Sequence, residues 1–184
     1  MRKIVLIAIS LFTIAYTTHA QKVISKNGHI SFYSHTAMED IKADNNQVSS
    51  IIDQSTGEVR INVLMKSFKF DGALMEEHFN ENYVESDKYP KANLSGKIIN
   101  LTAIDFTKNG TYNTEIEGEL TMHGVTNKLT AKGTIEIKDG NVIAKSKFFI
   151  SLKEYKIEIP AVVKDKIQDN MEITVDMEYA PLKK

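Results

Sequence analysis

The stretch that decides the fold is Asn170–Tyr179, NMEITVDMEY. Every second residue is apolar: Met171, Ile173, Val175, Met177 and Tyr179. The residues between them are polar, and three of these four are acidic. Because successive side chains of a β-strand point to opposite faces of a sheet, this alternation predicts a strand with one buried face and one wet face.

Three other stretches show the same period of two: Gly57–Met65, Thr111–Thr121 and Lys128–Lys138. Turn-forming sequences separate the alternating runs. These are Ser55-Thr56-Gly57, Lys108-Asn109-Gly110 and Asp139-Gly140-Asn141, of which the last two hold the Asn-Gly or Asp-Gly pair of tight hairpins. The pattern predicts about eight antiparallel strands, near residues 27–36, 45–54, 57–66, 92–104, 111–122, 127–138, 141–153 and 170–180.

Two segments depart from this period. Within Phe70–Glu85, the residues Leu74, Met75, His78, Phe79 and Tyr83 recur at helical spacing, which predicts a short amphipathic helix. Pro160–Gln168 is a second candidate, because proline suits a first helical turn and Val163 and Ile167 are four residues apart. The sequence therefore predicts an all-β domain with one or two short helices.

Eight antiparallel strands in one domain can close into a barrel or stack as a sandwich. Closure removes exposed strand edges, and an eight-stranded barrel can hold one small ligand. Gly96, Gly118, Ala131 and Gly133 fall on the buried parity. Small residues there either let the strands bend or leave empty volume, and both interpretations stay open at this point.

The first 20 residues have the order of a secretory signal peptide. Arg2 and Lys3 precede the uncharged run Ile4–Tyr16, and the small residues Thr18 and Ala20 follow. The run is shorter than the roughly 20 residues that cross a bilayer, although an uncleaved anchor is the alternative. Cleavage after Ala20 predicts a single mature domain over residues 21–184, located in the periplasm or secreted.

The composition argues against several classes of function. The chain has no cysteine, which excludes disulfides, thiolate metal sites and thiol catalysis. Removal of the two positive charges Arg2 and Lys3 changes the formal net charge from −1 to −3, which gives no reason to expect nucleic acid as a partner. Metal-binding histidine patterns, glycine-rich phosphate loops and nucleophile elbows do not occur. We therefore expect no metal, no cofactor and no catalysis.

Apolar residues are dense around the first helical segment and in one later strand. Either the helix plugs a barrel mouth with ordinary core residues, or helix and barrel line a tunnel, for which methionine and phenylalanine are well suited. Parity assigns the following residues to the lumen as ligand contacts: Phe68, Phe70, Leu74, Met75, Phe79, Ile116, Leu120, Phe148, Ile150, Met171, Ile173 and Val175. A register error of one residue would move the whole set of a strand outside.

Two motifs resemble those of the YceI-like lipid- and polyisoprenoid-binding proteins. One runs from His78-Phe79 to Ser86-Asp87-Lys88-Tyr89-Pro90-Lys91-Ala92 and is similar to the family's helix followed by its (D/E)-K-Y-P-x-A turn. The other, Gly118–Thr126, is GELTMHGVT and is similar to the family's G-x-L-T-(L/M)-H-G-V-T hairpin. The resemblance covers about Gly28 to Tyr179. It departs at Asn93-Leu94, where the family more often has an aromatic residue.

This resemblance implies an extended, eight-stranded, antiparallel, lipocalin-like barrel in the bacterial periplasm. It also implies that a long apolar isoprenoid, a quinone or polyprenyl lipid, binds in the lumen. We expect a monomer or homodimer, and no stretch after the first 20 residues is apolar enough to cross a membrane. One alternative is a ligand-free barrel or sandwich that acts as a structural or stress-related interaction module. Another is an enzyme that uses His78 or His123.

The second motif, His123-Gly124-Val125-Thr126, suggests a turn between strands. We expect the imidazole to fold back and hydrogen-bond a backbone group or a carboxylate, with a role toward a ligand head group or a metal as the alternative. Tyr89-Pro90 is interpreted as a rigid turn, because proline fixes its own backbone and biases the preceding residue toward extended geometry.

Overall fold

The alternating segments form β-strands. The computed structural model describes residues 22–182, so the expected signal peptide, residues 1–20, lies outside the described residues. The strands are β1 Lys22–His35, β2 Asp40–Asp53, β3 Glu58–Leu64, β4 Lys69–Phe70, β5 Lys91–Ile98, β6 Gly110–Met122, β7 Val125–Lys138, β8 Asn141–Ser151 and β9 Asn170–Pro181. β1 and β2 each begin about five residues before the predicted start. No helix within residues 22–182 is long and apolar enough to cross a membrane.

Eight of these strands close a barrel. They pair in the order β1-β9-β8-β7-β6-β5-β3-β2, and β2 returns to β1, always antiparallel. The short β4 adds to β2 through Ala43 and Phe70. In β9, Met171, Met177 and Tyr179 are buried while Glu178 is exposed. The predicted eight-stranded antiparallel barrel is therefore confirmed, and the parity of β9 determines which of its faces lines the interior.

Two of the hairpin turns are tight. Asp139-Gly140 joins β7 to β8, and His123-Gly124 joins β6 to β7. All four residues have positive φ, between 51° and 81°, as two-residue turns of type I′ require. Such turns match the right-handed twist of the strands they join, so they fix the register of both hairpins.

The tight hairpin predicted at Lys108-Asn109-Gly110 is wrong. An eleven-residue loop, residues 99–109, separates β5 from β6. The side chain of Asn109 instead supports the neighbouring turn: its Nδ2 donates to Asp139 Oδ1 at 3.1 Å, and its Oδ1 accepts the Asp139 N–H at 3.0 Å. Asparagine is thus used here for its side-chain amide rather than for its turn conformation.

The helices are shorter than predicted. The first, α1, covers only Ala73–His78 and continues as a π-helical turn, Phe79–Tyr83. The second predicted helix is wrong, because Pro160–Gln168 contains a single 3₁₀ turn, Ala161–Val163. Two consecutive β-branched valines disfavour a helix, and Val162 points into solvent, so no apolar helical face forms there.

The barrel is open at one end because two pairs of strands diverge. Pairing of β7 with β8 stops at Gly133 and Ser146, and pairing of β2 with β3 stops at Ser49 and Asn62. Beyond these points lie β4, α1 and the loop 152–169. This end is referred to below as the mouth, and the opposite end as the closed end.

Where the pairing of these strands stops, side chains form hydrogen bonds in place of the backbone. Between β2 and β3, the fully buried Asn45 donates from Nδ2 to the Leu64 carbonyl at 2.9 Å and accepts the Gln47 N–H at 2.9 Å. Between β7 and β8, residues 152–157, referred to below as the wall segment, lie against the diverging strands. Asn127 Nδ2 donates to the Glu154 carbonyl there at 2.8 Å.

The glycines at inward-facing strand positions allow neighbouring strands to approach each other closely. A Cβ atom at Gly118 would lie 2.5 Å from the Cα of Gly96, and one at Gly133 would lie 2.2 Å from the Lys145 carbonyl oxygen. Neither position could hold a side chain without separating neighbouring strands. Close approach of the neighbouring strand backbones therefore requires glycine at both positions.

Candidate functional site

The interior contains two adjoining apolar cavities. One of about 400 Å³ opens at the mouth, and a deeper one of about 90 Å³ extends to the closed end, where Ile52, Ile98 and Tyr179 line it. Five residues line both cavities: Ile30, Val63, Ala92, Leu120 and Phe148. The two cavities therefore adjoin each other along the barrel, and together they are referred to as the lumen. The mouth cavity has the size typical of small-molecule sites, about 300–1,000 Å³.

Each of the twelve residues predicted for the lumen lines at least one cavity. The mouth cavity is lined by Phe68, Phe70, Leu74, Met75, Phe79, Leu120, Phe148, Ile150, Met171 and Ile173. The deep cavity is lined by Ile116 and Val175, together with Leu120 and Phe148. Their role as ligand contacts stays a prediction.

Leu74 and Met75 lie at the rim rather than inside. Their side chains are 63% and 37% exposed, because α1 lies across the mouth and buries none of its residues completely. The helical periodicity correctly placed both on the cavity side. It could not show that the helix ends after six residues and sits at the barrel's edge.

Four phenyl rings form a cluster on one side of the mouth cavity: Phe32, Phe68, Phe70 and Phe79. Five of the ring pairs have centroids 5.1–5.6 Å apart, mostly tilted or edge-on, which is the favoured geometry of aromatic pairs. Phe79 comes from the π-helical turn and therefore ties α1 to the barrel wall.

Several cavity residues were not predicted. Phe32 and Met122 share the buried parity of their strands, and Met65 continues the parity of β3 one residue beyond its end, so alternation could have identified all three. Val84, Leu152 and Ile157 line the mouth cavity from irregular segments, where no period marks the inward side. The sequence signal for the lumen is thus confined to its strands and to the first helical segment.

Polar residues line both cavities: Thr114 lies in the deep cavity, where its Oγ1 has no hydrogen-bond partner in the described part of the chain, and Glu39 and Lys166 lie at the mouth. Glu39 and Lys166 form an ion pair, with 3.5 Å between Oε2 and Nζ. Burial raises the pKa of the Tyr83 hydroxyl. Within residues 22–182, neither this hydroxyl nor the imidazole of His78 has a hydrogen-bond partner, so both are available to a ligand.

His123 connects three segments at the mouth. Its Nδ1 lies 2.9 Å from the Tyr155 carbonyl oxygen in the wall segment, and its Nε2 lies 2.9 Å from Glu85 Oε2. The carbonyl can only accept, so Nδ1 donates to it. The hydrogen bond with His123 holds the pKa of Glu85 below its ordinary value. We refer to these three residues as the histidine bridge.

The histidine bridge lies outside the lumen, since none of its members lines either cavity. In residues 22–182, no group of three histidine, aspartate or glutamate side chains converges as a metal site would require. The environment of His123 therefore gives it structural partners, and the structure shows no contact between its ring and the cavities.

The two sequence motifs pack against each other beside the bridge. The ring of Tyr89 lies edge-on to that of His123, with 4.7 Å between centroids. A Cβ atom at Gly124 would lie 2.7 Å from the Tyr89 ring, so only glycine allows this contact. The Pro90 carbonyl accepts the Met65 N–H at 3.0 Å. The turn and the hairpin thus stabilise one corner of the mouth.

The profile of the YceI-like domain family matches residues 21–179. No curated protein shows significant similarity to the chain. Solved structures share its fold at low sequence identity.

One is a polyisoprenoid binding domain from Saccharophagus degradans implicated in plant cell wall breakdown, with a TM-score of 0.77, 12% identity, and coverage of 89% of this chain and 100% of that chain. A second is BcnA of Burkholderia cenocepacia, with a TM-score of 0.68, 13% identity, and coverage of 82% of this chain and 95% of that chain. A third is the YCEI protein of Campylobacter jejuni, with a TM-score of 0.62, 16% identity and coverage of 82% and 90%.

Proposed function

The chain belongs to the YceI-like domain family, and we propose that it is a binding or carrier protein, not an enzyme, which holds a long isoprenoid lipid in its barrel. The observation that carries the proposal is the apolar lumen, which is open at the mouth and extends to the closed end. The likeness in fold to a polyisoprenoid binding domain supports the choice of ligand class.

The lumen can supply enough free energy for such a ligand. Burial of apolar surface contributes about 25 cal/mol per Å². An isoprenoid chain that buries ~500 Å² would gain on the order of 12 kcal/mol before the cost of ordering it is subtracted. Because the binding is non-directional, an apolar chain needs no charged anchor inside the barrel.

The mouth favours a neutral head group. Tyr83 and His78 offer hydrogen bonds without a permanent charge, and Lys166 is already paired with Glu39. A diphosphate would meet the Glu39 carboxylate and would have to break this pair. We therefore assign a quinone carbonyl or a prenyl alcohol, rather than a diphosphate, to the mouth.

Export to the periplasm or beyond the cell is part of the proposal. It is supported by the order of the N-terminal residues, in which positive charge, an uncharged run and small residues follow one another. A carrier in an aqueous compartment gives a water-insoluble lipid a route between membranes, as a monomer or a homodimer.

Native mass spectrometry of the protein purified from the cells that produce it tests the proposal. We expect a one-to-one adduct that organic extraction identifies as an isoprenoid. The matched variants are Leu120→Gln, which places an amide in the lumen, and Phe149→Gln, whose wild-type ring is 61% exposed on the outer face.

Leu120→Gln should weaken binding of added long-chain ubiquinone on the order of tenfold, because the buried amide finds no partner. Phe149→Gln should leave this binding unchanged, and circular dichroism checks that both variants keep their strands. A protein without an adduct, whose mass does not shift with ubiquinone or polyprenol, would instead support a ligand-free interaction module.

A further inference from the structure

Exposed apolar side chains are concentrated at the mouth. The three most exposed large apolar side chains of residues 22–182 are Val162, Met38 and Leu74, at 89%, 66% and 63%. They belong to three separate segments: the 3₁₀ turn 161–163, the turn between β1 and β2, and α1. These three residues are referred to as the rim tips.

The three segments surround the same opening. Each segment also lines the mouth cavity. The segment of Val162 does so through Val163 and Ile167, the β1–β2 turn through Glu39, and α1 through Leu74 itself. The ion pair of Glu39 with Lys166 joins the β1–β2 turn to the segment that carries Val162. The rim tips therefore surround the opening of the apolar lumen, and Leu74 also lines it. They do not form a patch on the outer wall of the barrel.

The charges beside the rim tips select the kind of partner. Lys164 and Asp165 follow Val162, and Glu76 and Glu77 follow Leu74. Both signs are present, so a strongly charged protein surface or a strongly anionic membrane would be repelled by part of the rim. Apolar tips among mixed charges fit the interface of a membrane with little net charge, where side chains can insert below the head groups.

We propose that the mouth docks on the surface of a lipid bilayer, with the rim tips inserted, so that the lumen exchanges its ligand directly with the membrane. The exchange rests on the proposed lipid binding, whereas docking can be measured without it. Without such contact, an isoprenoid would have to cross water between bilayer and lumen, which exposes its entire apolar surface.

The test is flotation of the protein with phosphatidylcholine vesicles in a sucrose gradient. Met38→Ser/Val162→Ser removes two rim tips that do not line the lumen. The matched control is Ile51→Ser/Ile99→Ser, which removes two exposed side chains at the other end of the barrel. We expect the wild type and the control to float, and the rim variant to bind at least about tenfold more weakly. Salt should have little effect, since binding is apolar.

Three outcomes would overturn the docking proposal. The wild type could fail to float, or the rim variant could float as well as the wild type. Light scattering could also show a wild-type dimer that the rim variant loses, which would make the mouth an interface between two copies. Loading with long-chain ubiquinone from detergent micelles separates the two proposals, because all three proteins should load equally. If none loads, lipid binding fails whatever the flotation shows.

Discussion

Replacement of His123 by asparagine should loosen the wall segment. Asparagine tolerates the positive φ of 51° at this position, so the backbone of the turn is kept. Its shorter side chain cannot reach the Tyr155 carbonyl and Glu85 together. The variant therefore isolates the histidine bridge from the turn that carries it.

The magnitude follows from the burial of the bridge. The side chain of His123 is 11% exposed, and its loss leaves the Tyr155 carbonyl without its partner in a largely buried place. An unmade hydrogen bond of this kind costs about 1–3 kcal/mol. The bond to Glu85 adds less than the bond to Tyr155, because that carboxylate is 41% exposed to solvent. For a domain of this size, a loss near 2 kcal/mol lowers Tm by about 4–8 °C.

Urea unfolding and hydrogen exchange provide the assay. His123→Asn should lower the unfolding midpoint, and protection should fall first at the amides of Tyr155 and Ile157, which donate to the Leu152 carbonyl. The matched control is His35→Asn, whose wild-type side chain is 67% exposed and bonds only with its neighbours in one hairpin. It should change stability by less than about 0.5 kcal/mol. Equal midpoints for His123→Asn and the wild type would refute the reasoning.

Three further predictions concern stability. His123 stabilises the charged form of Glu85, so the contribution of this carboxylate to folding stability is present above its ordinary pKa of 4.5 and is lost as pH falls through the lowered folded value. Glu85→Gln should therefore be less stable than the wild type at pH 7 and should approach it in acid. Midpoints of urea unfolding measure this difference. Gly133→Ala should destabilise the fold by about 1–3 kcal/mol, because the added Cβ would meet the Lys145 carbonyl. Gly72→Ala, whose Cβ would have only a 3.9 Å contact, should be nearly neutral. Urea unfolding curves of the two variants with equal midpoints would contradict this prediction. Burial raises the pKa of Tyr179 to about 12, so folding keeps this phenol neutral, and folding stability should fall as pH rises above 10. Tyr179→Phe, which also leaves the Ser50 hydroxyl unpaired, should lose less stability in alkali. An equal dependence of stability on pH in the variant and the wild type would contradict this role of Tyr179.

The strands and their inward sides could be predicted because alternation is a local property. Met177 and Glu178 follow each other in sequence and face opposite sides of β9 whatever the strand pairs with. The same parity placed Ile116 and Phe148 in the lumen. Closure of the barrel does not alter this pattern, so residues on regular strands needed no knowledge of the tertiary contacts.

Irregular parts of the wall could not be predicted in this way. Leu152 and Ile157 line the mouth cavity from a segment of turns, where an apolar residue has no fixed orientation. The length of α1 depends on where the chain meets the barrel rim, and propensity does not report it. Asn109 was taken as a turn residue because its amide bonds to Asp139, thirty residues later, are invisible in the local sequence.

The histidine bridge shows the same limit at a single residue. His123-Gly124 has the composition of a tight turn, and that part follows from sequence. Its partners lie 38 residues before and 32 residues after it in the chain. Only the divergence of β7 from β8 brings Tyr155 within reach, and that divergence has no signature in the period of either strand.

Closure of the barrel by β1 sets the order in which the protein can fold. β1 pairs with β2, its neighbour in sequence, and with β9, whose residues follow it by about 150 positions. During synthesis, the ring therefore stays open until the last strand has emerged, with two unprotected edges that invite pairing with other chains. We expect slow folding, limited by this long-range contact. The closed ring of strands has no free edge, but the incomplete ring does. The protein is thus most vulnerable to aggregation just before β9 pairs with β1 and β8.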